Sequence, residues 1–223
     1  MRSLAMTRWI ACAALALAAC AVQAQPALTP PDELVKTVML EVADIIAKDK
    51  ELKDGDRAKT IALIEEKALP HFNFLGMTAL AVGPAWQKAT PEQKKRLAAE
   101  FRDLLVRTYA SSLTVFRDQN FDFRPLRMKP ADTDVTVLVR VLQQGSQPVN
   151  IEYDMEKTPR GWKVYDVRVA GISLVVTYRT EFANVVRDKG IDGLVATLAA
   201  KNKSLAAAPA SASAGAPPAG ATK

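Results

Sequence analysis

The chain has 223 residues, enough for one domain of ordinary size or two small ones. Its only cysteines are Cys12 and Cys20 and its only histidine is His71, so the rest of the chain has no disulfide framework, thiolate metal site or His-rich metal site. The formal charge of +6 comes from lysines and arginines that are scattered along the sequence. Such a balance suits an anionic membrane surface and argues against a nucleic-acid-binding stripe.

The first 24 residues have the layout of a cleaved secretory signal peptide. Arg2 and Arg8 precede an apolar run over residues 9–19, and Val22-Gln23-Ala24 forms a small-x-small cleavage site. The run is too short for a membrane-spanning helix, so we predict an exported protein. The alternative is cleavage before a lipidated cysteine, which Leu17-Ala18-Ala19-Cys20 would allow. The small-x-small site that follows favours simple cleavage.

Four segments before residue 118 carry apolar residues at intervals of three and four, the spacing of one helix face. The predicted helices cover residues 31–48, 57–69, 71–83 and 91–117. Asp56 is placed to cap the second helix, and Thr90 and Gln93 can form a capping box on the fourth. Thr108 and Ser112 are small or polar at positions where a plain core-facing stripe would carry larger side chains.

The apolar period then changes from 3.6 to 2, which is typical of strands. The predicted strands cover residues 121–127, 134–142, 149–157 and 162–170. Pro125 cannot donate to a ladder, so the first is predicted to be an edge strand. Short turns at Gly145 and residues 159–161 connect the others into an antiparallel meander. One sheet face is rich in valine and the other is charged, so only one face is predicted to pack.

Helices return after the sheet. Gly171 is predicted to open a helix that ends at Gly190, and Asp192 to cap a last short helix. Residues 204–223 are mostly Ala, Ser, Pro and Gly and are expected to be disordered. The sequence therefore predicts one α+β domain over residues 25–203, with a twisted antiparallel sheet of four to five strands wrapped by helices. The helical parts cover about 30–118 and 171–203, and the sheet about 119–170.

Few residues are suited to catalysis or metal binding. His71 lies in an apolar stretch without a nucleophile or carboxylate close in sequence, which favours a structural role. Glu152, Asp154 and Glu156 share one strand face and could bind a hard cation. A row of this kind more often pairs with basic residues of neighbouring strands, so no metal site is predicted. The candidates for that pairing are Arg140, Lys163 and Arg168.

Asp166 is a carboxylate inside a mostly apolar strand. An aspartate base beside a tyrosine is found in ketosteroid isomerases, whose sheet and helices have a similar conical layout. Tyr153, Tyr165 or Tyr178 could supply the tyrosine, so a small-molecule enzyme is an alternative interpretation. The more ordinary interpretation pairs Asp166 with an arginine such as Arg179, or exposes it to solvent at a bulge.

An active site does not explain why the sheet is so apolar on one face. That face is either an ordinary core or, in part, the wall of a cavity for an apolar ligand. Periodicity alone does not separate the two interpretations, and by itself it favours an ordinary core.

Two long blocks match a known family in order and spacing. The first, at residues 69–113, is LPHFNFLGMTALAVGPAWQKATPEQKKRLAAEFRDLLVRTYASSL. The second, at residues 162–182, is WKVYDVRVAGISLVVTYRTEF. In these blocks the chain resembles the MlaC family, the periplasmic phospholipid-binding components of the bacterial Mla lipid-transport system, formerly grouped as toluene-tolerance proteins. The resemblance covers about residues 30–203, and Thr177 departs from the asparagine expected there.

The resemblance implies a sheet like those of nuclear-transport-factor-2 and cystatin-like proteins, with an acyl-chain pocket between sheet and helices. It implies a non-enzymatic periplasmic carrier that shuttles phospholipid between the outer and inner membranes and maintains outer-membrane lipid asymmetry. Bound phospholipid is the cargo, and no cofactor is implied. The implied partners are an outer-membrane lipoprotein–porin complex and an inner-membrane ABC transporter with an MCE-domain protein.

On this interpretation one side of the sheet and the helices next to it should bind the lipid chains. The candidate lipid-binding residues are Leu105, Tyr109, Val137, Val139, Ile151, Tyr153, Met155, Val167, Val169, Val175 and Tyr178.

Overall fold

A computed structural model describes residues 28–110, 112, 120–142 and 147–207. The predicted signal peptide, the Cys20 alternative and residues 208–223 of the predicted tail lie outside the described residues. So does most of the predicted helix beyond residue 110.

The helices agree with the sequence pattern over most of their length. They are α1 (Pro31–Lys48), α2 (Lys50–Lys53), α3 (Arg57–Leu63), α4 (Phe74–Val82), α5 (Pro91–Tyr109) and α6 (Arg179–Ala207). Asp56 caps α3 as predicted, because its carboxylate accepts a hydrogen bond from the Lys59 backbone N–H at 2.9 Å. The predicted second helix is not regular to its end. It passes into a π-helical turn (Ile64–Ala68) and a 3₁₀ turn (Leu69–His71) before Phe72.

The capping box at the start of α5 is confirmed. The Thr90 hydroxyl accepts from the Gln93 backbone N–H at 3.2 Å, and the Gln93 side chain accepts from the Thr90 backbone N–H at 3.0 Å. Pro91 occupies the first helical position, where a missing N–H costs nothing. Two of the free donors at this helix end are therefore satisfied locally.

We expect Thr90→Ala to lower the free energy of unfolding by about 1 kcal/mol, the usual effect of losing such a cap. Thr90→Ser keeps the hydroxyl and should cost much less. Urea denaturation of both variants checks this, and an equal loss in the two would contradict a capping role for the hydroxyl.

The sheet is an antiparallel meander with the strands in sequence order. They are β1 (Asn120–Phe123), β2 (Asp134–Leu142), β3 (Val149–Thr158), β4 (Gly161–Val169) and β5 (Ile172–Ser173). This confirms the predicted α+β class and the four to five strands. The first strand ends at Phe123, before Pro125, so the prediction that it reached residue 127 was wrong.

The predicted helix start at Gly171 was also wrong. Ala170 and Gly171 have φ angles of 50° and 81°, and they form a two-residue turn that leads back into β5. Positive φ at both central residues is the geometry of a tight hairpin turn, which a helix start does not have. The chain then passes through a 3₁₀ turn (Val176–Tyr178) into α6.

Two packed regions flank the sheet. Helices α4, α5 and α6 form a helical core, defined here as the buried cluster around Phe101 and Phe182. Helix α1 packs on the valine-rich inner face of the sheet, next to Trp162. A kink at Gly190, with φ 70°, divides α6 where the sequence placed a helix end. Helix α6 continues to Ala207, so the predicted tail began too early.

Candidate functional site

An apolar cavity of about 470 Å³ lies between the inner face of the sheet and the helices. Ligand pockets are typically about 300–1,000 Å³, so this cavity has the size of a binding site and exceeds a packing defect. Its wall is formed by α1, by the irregular segment from Ile64 to Phe72, by α4 and α5, and by strands β1, β3, β4 and β5 with Leu174 after them.

The wall carries very few polar groups. Among the described residues it contains no Asp, Glu, Lys or Arg, and its polar side chains are His71, Tyr109, Ser112 and Tyr153. A large cavity with so few hydrogen-bond partners holds water poorly and suits an apolar ligand. The inner sheet face is therefore partly a cavity wall, the second of the two interpretations that the sequence left open.

The candidate residues from the sequence divide into two sets. Seven of the eleven lie on the cavity wall: Leu105, Tyr109, Ile151, Tyr153, Met155, Val167 and Val169. Four lie elsewhere: Val137, Val139, Val175 and Tyr178. Whether the wall residues contact lipid stays a prediction.

The four residues that lie off the wall are buried by close packing. Val137 and Val139 share the inner face of the sheet with Ile151, but they do not line the cavity and are buried. Val175 and Tyr178 belong to the helical core, where Tyr178 contacts the Phe101 ring edge to face at 5.3 Å. All four side chains are at most 2% exposed, as expected of a closely packed interior.

Helix α1 forms the opposite wall of the cavity, which the sequence did not predict. Seven side chains of this helix line the cavity: Leu34, Val35, Val38, Met39, Val42, Ala43 and Ile46. The apolar stripe on α1 was visible in the sequence, but nothing in its spacing indicates which surface it covers. The irregular segment after α3 adds Ile64, Ala68 and Leu69 to the wall. A π-helical turn of this kind is often found at functional sites.

His71 lies on the cavity wall and is half-buried. Burial, together with the nearby positive charge of Lys163, lowers the pKa of His71 below its usual value of 6.5. The ring is therefore neutral at neutral pH. Lys163 Nζ donates to the Pro70 carbonyl oxygen at 2.5 Å, which holds this basic side chain beside the histidine.

The family model described as MlaC protein matches residues 36–200. The chain belongs to the MlaC family. Relatives include the intermembrane phospholipid transport system binding protein MlaC of Haemophilus influenzae, 24% identical over 157 residues, which cover 69% of this chain and 72% of that protein. The toluene tolerance protein ttg2D of Pseudomonas putida is 28% identical over 113 residues, 48% of this chain and 52% of that protein.

A solved structure has the same fold as this MlaC-family chain. It is a phospholipid-binding protein from Ralstonia solanacearum in complex with a phospholipid, 38% identical in sequence, with a TM-score of 0.73. The match covers 80% of this chain and 99% of that one. The resemblance read from the two sequence blocks is thereby confirmed, as is the α+β fold with an antiparallel sheet packed against helices.

The outer face of the sheet in this MlaC-family protein carries charged pairs. Arg168 contacts the Glu152 carboxylate at 2.7 Å and the Asp154 carboxylate at 2.5 Å, which confirms one of the predicted pairings. Glu156 accepts from the Asn73 side-chain amide, and Arg140 lies nearer to Asp122 than to this row. No three His, Cys, Asp or Glu side chains within the described ranges are grouped so that they could hold a metal ion.

Asp166 is not placed as a catalytic base toward the cavity. It lies opposite Asp154 across β3 and β4, on the outer face, whereas its neighbour Val167 lines the cavity. Its carboxylate accepts from the Ser173 hydroxyl at 2.9 Å and from the Val167 backbone N–H at 2.8 Å. The predicted pairing with Arg179 was wrong, because Arg179 donates to the Leu80 carbonyl oxygen.

The tyrosines proposed to assist Asp166 lie apart from it. Tyr165 donates to Asp134 at 3.1 Å, Tyr153 lines the cavity on the opposite face, and Tyr178 lies in the helical core. Asp166 is also only 4% exposed, so the predicted solvent exposure was wrong. The Ser173 hydroxyl that it holds also accepts from the Val175 and Val176 backbone N–H groups. Asp166 therefore fixes the turn between β5 and α6.

We expect Asp166→Asn to raise the melting temperature at pH 7. Both hydrogen bonds end on one carboxylate oxygen, and asparagine offers an equivalent acceptor. Burial, and secondarily the charge of Asp154, raises the pKa of Asp166 above 3.8 against the opposing effect of its hydrogen bonds and Arg168. The folded state therefore binds this proton more tightly than the unfolded state does. Protonation of Asp166 therefore stabilises the folded state. This contribution is complete below the pKa of Asp166 in the unfolded state and is lost as the pH rises through its pKa in the folded state.

Asparagine does not titrate, so the melting-temperature difference between variant and wild type should grow from pH 4 to pH 7. Thermal unfolding followed by circular dichroism at several pH values measures it. Asp166→Ala, which loses both hydrogen bonds, should lower the melting temperature throughout. A lower melting temperature for Asp166→Asn at pH 7 would mean that the ionised carboxylate stabilises the fold.

In the part of the chain that the structure covers, no helix has the length and apolar character needed to cross a bilayer.

Proposed function

We propose that this protein is a periplasmic phospholipid carrier that holds the acyl chains of a glycerophospholipid in the cavity. The observation that carries the proposal is the cavity of about 470 Å³ with its almost wholly apolar wall. Further support comes from the Ralstonia solanacearum relative, which has this fold and is in complex with a phospholipid.

The energetics of acyl chains explain why such a cavity would be needed. Each methylene removed from water gains about 0.8 kcal/mol, so two chains amount to on the order of 20 kcal/mol. A lipid therefore does not cross an aqueous compartment unshielded at a useful rate. A wall of aliphatic and aromatic side chains resembles the bilayer interior closely enough to remove most of that penalty.

The head group is proposed to remain at the solvent-exposed end of the cavity. Ser112 is exposed and His71 is half-exposed, so these two polar wall residues are accessible to water. A phosphate there would avoid the cost of burying an unpaired charge, which the apolar wall does not compensate.

The wider transport role is also proposed. The protein would move phospholipid between the outer and inner membranes and so maintain outer-membrane lipid asymmetry. Its partners would be an outer-membrane lipoprotein–porin complex and an inner-membrane ABC transporter with an MCE-domain protein. The Haemophilus influenzae relative is named an intermembrane phospholipid transport system binding protein, which supports this role.

Neither of the other interpretations gains support from the cavity. A small-molecule enzyme with Asp166 as its base would need that carboxylate on the cavity side of the sheet, whereas it lies on the outer face. A lipid-anchored adaptor would require lipidation at Cys20. The intact mass of the exported protein separates these cases, because signal-peptide cleavage after Ala24 leaves Gln25 first and lipidation leaves an acylated Cys20 first.

Native mass spectrometry of the purified mature protein tests the carrier function. We expect a phospholipid adduct in a fixed ratio, which organic extraction and lipid analysis would identify. A clean apo mass, together with no uptake of labelled phospholipid from liposomes, would overturn the proposal.

A further inference from the structure

The polar groups on the cavity wall differ in their accessibility to solvent and to a molecule bound in the cavity. Ser112 and His71 are accessible to solvent. The Tyr109 hydroxyl has almost no accessible surface and lies next to the Tyr178 hydroxyl, so a molecule in the cavity does not reach it without displacing its neighbours. Tyr153 is enclosed by the protein, and burial raises the pKa of its phenol. It nevertheless lines the cavity and is partly accessible there.

The Tyr153 hydroxyl has a weak partner. It lies 3.5 Å from Met39 Sδ, and both side chains line the cavity, one from β3 and the other from α1. A thioether sulfur is a poor acceptor compared with a carbonyl oxygen. A buried phenol ordinarily has a good hydrogen-bond partner. Because the Met39 sulfur is a weak one, the Tyr153 hydroxyl remains able to donate to a better acceptor.

We propose that the Tyr153 hydroxyl donates a hydrogen bond to an acyl-ester carbonyl oxygen of the bound lipid. This inference rests on the proposed carrier function. With the chains among aliphatic side chains and the phosphate at the solvent, the ester groups are the remaining polar part of a diacyl glycerophospholipid. A neutral phenol suits a neutral carbonyl, and no charged side chain among the described wall residues offers an alternative.

The bond would make the protein prefer ester-linked over ether-linked lipids. A net hydrogen bond between neutral groups corresponds to roughly a twofold to tenfold change in affinity. An ether-linked phospholipid with the same chains and head group lacks the carbonyl oxygens, so it forfeits this bond while keeping the apolar contacts.

The test compares dissociation constants of delipidated protein for diacyl and dialkyl phosphatidylglycerol of equal chain length. We expect wild type to bind the diacyl lipid several times more tightly, and Tyr153→Phe to lose that preference while binding the dialkyl lipid as wild type does. Tyr165→Phe is the matched control, because it removes a tyrosine hydroxyl that lies off the cavity wall and donates to Asp134. It should keep the preference.

Dividing the diacyl preference of wild type by that of Tyr153→Phe isolates the contribution of the hydroxyl–carbonyl contact from general differences between the two lipids. An equal diacyl preference in wild type and Tyr153→Phe would overturn the inference, as would a loss in Tyr165→Phe alone. Met39→Leu provides a second test that leaves Tyr153 in place. Removing the competing sulfur should increase the diacyl preference, and a decrease would contradict the proposal. If wild type bound neither lipid, the carrier function itself would fail.

Discussion

Replacing Val167 by glutamate is expected to empty the protein of lipid without unfolding it. Val167 lies on β4, where it pairs with Tyr153 and faces the cavity, and it is only partly buried because free volume adjoins it. In the empty protein, water entering the cavity can solvate the new carboxylate. With acyl chains present the carboxylate would lose that water, at a cost of several kcal/mol. We expect lipid affinity to fall by at least about tenfold.

Native mass spectrometry and liposome uptake measure the loss, and circular dichroism confirms that the variant is folded. The matched control is Leu142→Glu, which also puts a carboxylate in place of an aliphatic side chain on the sheet. Leu142 is 37% exposed and lies off the cavity wall. The Leu142→Glu variant should bind lipid normally. Equal lipid occupancy in the two variants would show that the cavity does not hold the chains.

Glutamate is expected to have different effects on the cavity wall and in the closely packed part of the sheet face. Ile151→Glu should also reduce lipid binding, because Ile151 lines the cavity. Val139→Glu would test folding instead, because Val139 is completely buried in the closely packed part of the same sheet face. A carboxylate there has neither water nor a partner and is expected to unfold the protein.

Phe101→Ala is expected to lower the free energy of unfolding by about 3–5 kcal/mol, a large part of the stability of a domain of this size. Phe101 has no exposed surface and contacts two other aromatic rings edge to face, Tyr178 at 5.3 Å and Phe182 at 5.2 Å. Truncation leaves a void where α5 and α6 meet, and the surrounding rings can close it only in part. Urea denaturation measures the loss.

A truncation on the cavity wall should cost much less, both because fewer atoms are removed and because the site is less closely packed. Val169 adjoins free volume already, so Val169→Ala enlarges an existing cavity and removes few packed contacts. Lipid binding should therefore tolerate Val169→Ala, while Phe101→Ala weakens the scaffold that supports α5. Similar losses of stability in the two variants would contradict the distinction between a packed helical core and a less closely packed cavity wall.

Local chemistry allowed several elements to be located from the sequence. Helix α1 spans Pro31–Lys48 as predicted, and the Thr90–Gln93 capping box fixed the start of α5. Strict alternation located β2, β3 and β4 to within a residue or two. These features depend on neighbours within about four residues or on the two-residue repeat of a strand, both of which a sequence displays.

The turn after β4 could not be predicted from the local sequence. Apolar residues after Gly171 have helical spacing, but Ala170 adopts a left-handed conformation together with the glycine, and Asp166 holds Ser173 across the turn. That hydrogen bond and the pairing of β5 with β4 are tertiary contacts. They override the local preference for a helix.

The sequence determined by itself that the sheet has one apolar face, and its long family blocks indicated what that face is for. Only the tertiary structure decided which part of the face is packed and which part lines a cavity. Val139 and Ile151 are paired neighbours on the same face, yet Val139 is completely buried off the cavity wall and Ile151 adjoins free volume. Periodicity specifies the direction of a side chain but not the distance to the surface opposite, and here that distance is set by the position of α1.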